Sequence, residues 1–268
     1  MSESLFADHF SSGASDYARF RPTYPSALFA WLASAVPRTH RAWDCATGNG
    51  QAAFGLAEHF DEVVATDASA AQLASATRHP RVNYSCATAE RSALHDRSID
   101  LVAVAQALHW LDLDAFYREA ARVVVPGGVI AVWSYGPIEV DGEIDVVVGD
   151  LYRRTLGKYW PTERAHVDNG YRDLAFPFDS IECPVHSMSA RWTLADLLGY
   201  IGTWSAARRY IEANGGDALH RFAAELSMRW GNASDRREVR WPLMVAPWQT
   251  TARMRRSVPP ITSAWPPE

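Results

Sequence analysis

The chain has 268 residues, of which 48% are hydrophobic and 21% charged, and its formal net charge is -5. These values are typical of a soluble globular protein with one large domain, or a domain with a sizeable insertion. Charges of both signs are mixed along the chain, which excludes a basic surface for nucleic acid. Three unclustered cysteines with no C-x-x-C pair argue against a disulfide framework and against a zinc site.

The N-terminal segment, residues 1–25, begins with polar and acidic residues, and no long apolar run follows it. We therefore expect no secretory signal, no membrane segment and, by default, a cytoplasmic protein. Pro22 and Pro25 exclude a helix across the end of the segment, although Pro25 suits the first position of the next helix. With its aromatic and arginine residues, the segment is interpreted either as a lid over a ligand or as a surface strap.

A tight glycine turn follows the first predicted strand and precedes a predicted helix over 51–60. Gly48 and Gly50 let the backbone approach a ligand where a Cβ would clash, and the first N–H groups of the helix point to the same place. Asp44 would repel a pyrophosphate at this turn but would attract a cofactor that carries an ammonium. The spacing from Gly48 to Ala53 also fits the looser dinucleotide pattern G-x-G-x-x-[GA], so both cofactor classes stay open here.

The second predicted strand, over 62–67, ends in an acid about twenty residues after the turn. A carboxylate at this spacing meets a ribose hydroxyl pair in nucleotide-binding folds. Ser69 and Gln72 form a predicted capping box for the next helix, which would leave Asp67 free for a ligand. This role for Asp67 suits both cofactor classes.

Strands and helices continue to alternate up to Trp133. The pattern predicts a third strand over 81–87, a fourth over 98–105, a helix over 113–124 ended by Pro126-Gly127-Gly128, and a fifth strand over 129–133. Short connections between these elements predict a doubly wound parallel sheet. Ligands bind at the carboxyl ends of such strands, and His109 follows the fourth one.

Beyond Tyr135 the pattern is weaker. It predicts, in order, a helix over 144–156, an ordered loop region over 158–178, a sixth strand over 180–192, a helix capped by Thr193, a helix over 218–230 and a last strand over 238–245. From Pro247 the chain is rich in proline and unpatterned, so no secondary structure is expected there.

Two stretches resemble motifs of the class I S-adenosylmethionine-dependent methyltransferases, in the group with a methyltransferase type 11 domain. The first is acid-x-small-x-Gly-x-Gly from Asp44 to Gly50, with Ala46 where that family usually has glycine. The second runs from Asp100 to Trp110 and continues, after a helix, in Arg-Val-Val-Val-Pro-Gly-Gly-Val from Arg122. The resemblance covers roughly residues 6–136 and favours S-adenosylmethionine over NAD(P). A non-catalytic module that binds the cofactor, or an oxidoreductase, remains as an alternative.

The resemblance implies a Rossmann-like, mostly parallel seven-stranded sheet with a helical substrate-cap insertion. We then expect a lid segment over 1–25, a cofactor-binding core over 26–136, cap insertions and last strands of the same domain over 137–246, and an irregular tail over 247–268. The sequence motif Tyr-Ala-x-x-Arg-Pro-x-Tyr-Pro, which begins at Tyr17, resembles relatives of trans-aconitate methyltransferase, in which this segment folds over the cofactor. That likeness implies a small-molecule substrate, namely a carboxylic acid.

Site residues follow from the same motifs. The expected cofactor-binding residues are Tyr17, Arg21, Asp44, Ala46, Gly48, Asn49, Gly50, Asp67, Ala68, Ala89, Glu90 and Gln106. His109 is the candidate general base, with a packing or positioning role as the alternative. Candidate substrate contacts are Trp110, Trp133, Tyr135, Trp160, Tyr171 and Trp204, and no metal is expected.

Overall fold

A computed structural model describes residues 22–249, with side chains for residues 22–246. Residues 1–21 of the predicted lid, including Tyr17 and Arg21, therefore lie outside the described residues, as does the tail from residue 250. No helix in the described part of the chain is long and apolar enough to cross a membrane.

One mostly parallel sheet organises the fold. Its strands are β1 Arg41–Cys45, β2 Glu62–Asp67, β3 Val82–Cys86, β4 Ile99–Ala105, β5 Val124–Tyr135, β6 Asp179–Ser180, β7 His186–Trp192 and β8 Arg237–Gln249. Seven strands follow the order β3-β2-β1-β4-β5-β8-β6, and β7 pairs with β8 off this path. The first five strands in this order are parallel, whereas β8 runs antiparallel to β5 and β6. The predicted Rossmann-like sheet is confirmed, with one additional strand.

Burial explains why β1 and β4 occupy the middle of the sheet. Residues 42–45 of β1 and residues 99–104 of β4 are buried, which matches their nearly continuous apolar sequences. Trp43 is fully buried, and its indole N–H donates to the Thr66 hydroxyl of the neighbouring strand at 2.8 Å. Because β1 pairs in parallel with both β2 and β4, the carboxyl ends of these three strands meet at one edge of the sheet.

The helices are α1 Ser26–Ala35, α2 Gln51–Ala57, α3 Ala70–Ala74, α4 Leu113–Val123, α5 Gly142–Asp150, α6 Arg164–Asp168, α7 Leu194–Gly202, α8 Ser205–Asn214 and α9 Asp217–Trp230. In α4, Phe116, Ala120 and Val123 form a buried stripe, and Asp112 caps the helix by accepting from the Ala115 N–H. The predicted capping box of Thr193 is present at the start of α7.

The chain divides into two compact units. One contains Tyr24–Gly136, Ala165–Ser187 and the described residues after Trp241, and it holds most of the sheet. The other contains Pro137–Arg164 and Met188–Trp241, with α5, α7, α8 and α9. Residues 165–187, which lie in the middle of the predicted cap region, thus belong to the unit of the sheet.

Several boundaries differ from the sequence predictions. Strand β8 extends to Gln249, so the prediction of no secondary structure from Pro247 is wrong for its first three residues. Their backbone pairs with residues 129–131 of β5, and this long-range pairing is absent from the local pattern. The single strand predicted over 180–192 is two strands, with Pro184 in the stretch between them. Helix α8 was not predicted, and neither was α6, which lies in the predicted loop region 158–178.

Candidate functional site

The turn between β1 and α2 has an unusual backbone. Ala46, Gly48 and Gly50 have φ angles of +56°, +58° and +87°. The Thr47 N–H donates to the Thr66 carbonyl at 2.9 Å, and the Gly50 N–H donates to the Thr47 carbonyl at 3.0 Å. These bonds hold the turn at the carboxyl edge of β1 and β2, where the sequence predicted a ligand site.

Asp67 fastens the turn to β2. One carboxylate oxygen accepts from the Gly48 N–H at 2.8 Å, and the other accepts from the Ser69 N–H at 2.8 Å. Ser69 caps α3 by accepting from the Gln72 N–H, so only half of the predicted capping box forms and Asp67 supplies the other half. Asp67 is therefore not left free by Ser69, although each of its oxygens retains a lone pair that could accept from a hydroxyl.

Asp44 is completely buried at the end of β1. Its Oδ2 accepts from the Thr47 hydroxyl, whereas its Oδ1 has no hydrogen-bond partner among the described residues. Burial raises the pKa of Asp44 to about 7, against the opposing effects of the Thr47 hydroxyl and the nearby Ala53 N–H, and the negative charge of Asp67 adds to the rise. A buried carboxylate oxygen without a donor is costly to ionise, which agrees with the raised pKa.

Ala46 has a conformation that glycine would adopt more easily. Its φ of +56° lies in the left-handed region, which costs an L residue roughly 1–2 kcal/mol. The sequence showed only that alanine stands where the resembled family usually has glycine. The structure shows that it also strains the backbone.

We expect Ala46→Gly to stabilise the protein by about 0.5–1 kcal/mol, because relief of the strain exceeds the greater unfolded-state entropy of glycine. Urea unfolding measures this change. Ala224, an exposed residue in the middle of α9, provides the matched control. Ala224→Gly should destabilise by a similar amount, and equal destabilisation by both variants would contradict the assignment of strain to Ala46.

The two turn glycines face different surroundings. A Cβ on Gly48 would have no atom of the described residues within 4 Å, so these residues leave the backbone open to a ligand on that side. A Cβ on Gly50 would lie 2.2 Å from the hydroxyl oxygen of Tyr84. Asn49, between them, accepts the Thr77 N–H at its carbonyl at 3.2 Å. Gly48 thus leaves room for a ligand, whereas Gly50 permits close packing against Tyr84.

Three further predicted cofactor-binding residues, Ala68, Ala89 and Glu90, follow β2 and β3. The Ala68 carbonyl accepts from the Cys86 thiol at 3.6 Å, and Ala89 is buried. Glu90 accepts from the Asp112 N–H at 3.1 Å, which ties it to the start of α4. The sheet order places these residues next to Asp67, at the same edge as the glycine turn.

Gln106, directly after β4, also has a left-handed backbone, with φ of +56°. Its N–H donates to the Trp133 carbonyl at 2.9 Å, and its side-chain amide donates to the Tyr135 carbonyl at 3.1 Å. Both acceptors lie at the end of β5. Strained residues at adjoining strand ends, here Ala46 and Gln106, are characteristic of functional sites.

His109 lies in a short 3-10 turn, Leu108–Trp110, beyond Gln106. Its Nδ1 is 2.9 Å from the Tyr171 hydroxyl, and the two rings are stacked with centroids 6.0 Å apart. Tyr171 is fully buried and has φ of +59°. Sequence reasoning named both residues separately but gave no sign of this pairing, because 62 residues separate them. The neighbouring Trp110 is 58% exposed.

The remaining candidate substrate residues are mostly buried. Trp133 is fully buried against Tyr24 and Tyr135 is 6% exposed. In the other unit, Trp160 packs against Trp204, and its indole N–H donates to the Tyr152 carbonyl. Among the described residues, no group of His, Cys, Asp and Glu side chains could hold a metal ion.

The strand order and the acid-bearing glycine turn define the Rossmann-like methyltransferase class. A methyltransferase-domain family model matches residues 43–132. A protein of Dictyostelium discoideum, named as a candidate methyltransferase, is 34% identical over 80% of this chain and 83% of its own length. An uncharacterized methyltransferase of Mycobacterium tuberculosis is 38% identical over 59% of this chain and 68% of its own.

A solved structure agrees with these sequence matches. A candidate type II methyltransferase from Anaeromyxobacter dehalogenans has a TM-score of 0.83 and 44% identity, over 87% of this chain and 99% of its own. The chain belongs to the S-adenosylmethionine-dependent methyltransferase family, and the NAD(P) alternative is not supported.

Proposed function

We propose that this protein binds S-adenosylmethionine at the glycine turn and transfers its methyl group to a small carboxylic acid. The observation that supports this most directly is the unsatisfied Oδ1 of the buried Asp44. The methionine part of this cofactor carries an ammonium, which would compensate the carboxylate. A dinucleotide would instead bring a pyrophosphate toward the same charge.

The residues present fit the rest of the cofactor. Asp67 presents two carboxylate oxygens beside Gly48, whose backbone is open to a ligand, and a ribose hydroxyl pair matches such a carboxylate. Ala68, Ala89 and Glu90 would flank the adenine. When bound, the cofactor would supply a sulfonium methyl group for in-line transfer to the acceptor, with the thioether as the leaving group. The main task of the chain is therefore alignment and exclusion of water.

His109 has a different role for each class of methyl acceptor. An amine or hydroxyl must lose a proton, and an imidazole whose Nδ1 edge is fixed by buried Tyr171 is suited to accept it. An ionised carboxylic acid needs no base, in which case His109 positions the acceptor. We propose the positioning role for the carboxylic acid substrate.

The carboxylic acid proposal rests on the likeness of the stretch Tyr-Ala-x-x-Arg-Pro-x-Tyr-Pro, from Tyr17, to relatives of trans-aconitate methyltransferase.

Two measurements test this function. Thermal shifts with S-adenosylhomocysteine, NAD and NADP should show stabilisation by the first alone, because a ligand that binds only the native state raises its stability. Transfer of labelled methyl from S-adenosylmethionine to trans-aconitate and other small carboxylic acids should follow. Binding without transfer to any acid, amine or hydroxyl compound would favour the non-catalytic module, and a shift with NAD alone would refute the proposal.

A further inference from the structure

A second tie holds the glycine turn, from the side of the edge strand β3. The Tyr84 hydroxyl donates to the Thr77 carbonyl at 2.7 Å, and the Thr77 N–H donates to the Asn49 carbonyl at 3.2 Å. The same hydroxyl contacts Gly50, since a Cβ there would lie only 2.2 Å from it. Tyr84, Thr77 and the turn thus form a closed chain of contacts.

This tie is one end of a longer seam, which we define as the contacts between residues 75–84 and α2 with its flanking residues. The His79 ring packs edge-on against Phe54 with centroids 5.3 Å apart. Farther along, the Arg81 guanidinium donates to the Ala57 carbonyl at 3.1 Å. Loss of one contact should therefore leave the seam itself in place.

The Tyr84 phenol is also affected by the charge of Asp44, which lies on the cofactor side of the turn. Burial and the charge of Asp44 raise the pKa of its phenol, while Arg78, whose guanidinium lies 5.3 Å from the ring centroid, lowers it. The phenol therefore stays neutral and able to donate. Its hydroxyl faces Gly50, and the open side of the turn is at Gly48.

We propose that Tyr84 is a positioning residue for the cofactor turn: it fixes Asn49 and Gly50 without itself contacting the cofactor. Two left-handed glycines in three residues leave a turn with many accessible conformations. Asp67 fixes the Gly48 end from β2, and Tyr84 fixes the Gly50 end from β3. Ordering the turn before the ligand arrives lowers the entropic cost of binding.

The proposal rests on the cofactor function proposed above, and one set of calorimetric titrations with S-adenosylhomocysteine separates the two. Tyr84→Phe removes the hydroxyl and retains the ring, and it should weaken binding roughly threefold to tenfold. Arg81→Leu removes a hydrogen bond at the far end of the same seam. It should lower the melting temperature as much as Tyr84→Phe and leave affinity within twofold of wild type.

The results of these titrations distinguish failure of the proposed function from failure of the proposed role of Tyr84. Failure of the wild type to bind refutes the proposed function, whereas equal affinity of wild type and Tyr84→Phe refutes the role of Tyr84. Equal losses in Tyr84→Phe and Arg81→Leu also refute it, since the seam would then act as a whole. If Tyr84→Phe does not fold, Tyr84→Leu, which also lacks a donor, and amide hydrogen exchange of the turn peptide provide the same comparison. Unchanged exchange at residues 48–50 in a folded Tyr84 variant contradicts the tie.

Discussion

Replacement of Asp44 by asparagine should weaken S-adenosylhomocysteine binding by roughly 100-fold. Loss of one partner of a buried, hydrogen-bonded charge pair costs about 2–5 kcal/mol. The Asp44 carboxylate is completely buried, and its Oδ1 accepts no hydrogen bond from the described part of the chain. Titration calorimetry measures the change. Asparagine retains the shape and the acceptor for the Thr47 hydroxyl, so the loss reports on charge.

Asp100 is the matched control for this variant. It is also buried, at the amino-terminal end of β4, and it accepts from Arg38 Nε at 2.7 Å and from the Arg41 N–H at 3.0 Å. Asp100→Asn should lower stability, because it weakens a charge-assisted bond, and should not alter affinity. If both variants bind as the wild type does, Asp44 has no electrostatic role in binding.

The same Asp44→Asn variant should lose less stability than wild type as the pH rises. The folded-state pKa of Asp44, about 7, lies above the ordinary aspartate value of 3.8. The folded chain therefore holds the Asp44 proton at pH values where the unfolded chain has lost it. This contribution to stability is complete below pH 3.8 and is lost as the pH rises through 7, at most about 4 kcal/mol. Urea unfolding at pH 5 and 8 measures the difference between the two proteins.

An ammonium beside Asp44 would favour its ionised form, so binding near pH 7 should release a proton. Calorimetry in buffers with different ionisation enthalpies detects this release, and Asp44→Asn should abolish it. Affinity of the wild type should accordingly fall as the pH drops below 7. Binding without proton release in any buffer would indicate that the cofactor does not alter the ionisation of Asp44.

Asp67→Ala should weaken S-adenosylhomocysteine binding by roughly 1.5–3 kcal/mol, through the loss of two charge-assisted acceptors for the ribose. The structure adds a second cause, since the variant also releases the Gly48 N–H and loosens the turn. Asp67→Asn can still accept one N–H and should lose less. Calorimetry on the two variants separates the contributions.

Asp141 provides a control for the capping function of Asp67. It caps α5 by accepting from the Ile144 N–H at 3.1 Å and lies in the other unit. Asp141→Ala should lower stability by about 1 kcal/mol through loss of the cap, and further through loss of its ion pair with Arg237, without changing affinity. Wild-type affinity in Asp67→Ala would mean that Asp67 acts only as a cap and as an anchor for the turn.

Local features of the sequence determined much of this fold. The alternation of apolar strands and amphipathic helices up to Trp133 predicted the parallel sheet, because side-chain periodicity follows directly from backbone geometry. The turn from Asp44 to Gly50 and the acid at the end of β2 were likewise recognisable by spacing. The structure places them at one sheet edge, as parallel pairing of β1 and β2 requires.

Only the tertiary structure decided how the site residues act. The pKa of Asp44 depends on complete burial, which no local pattern reveals. The pairing of His109 with Tyr171, and the contact of Tyr84 with Gly50, join residues 62 and 34 positions apart. The strain at Ala46 and the extension of β8 to Gln249 likewise follow from contacts with other strands. Periodicity and spacing specify which faces are apolar and where the backbone turns, whereas long-range packing sets burial, charge state and side-chain partners.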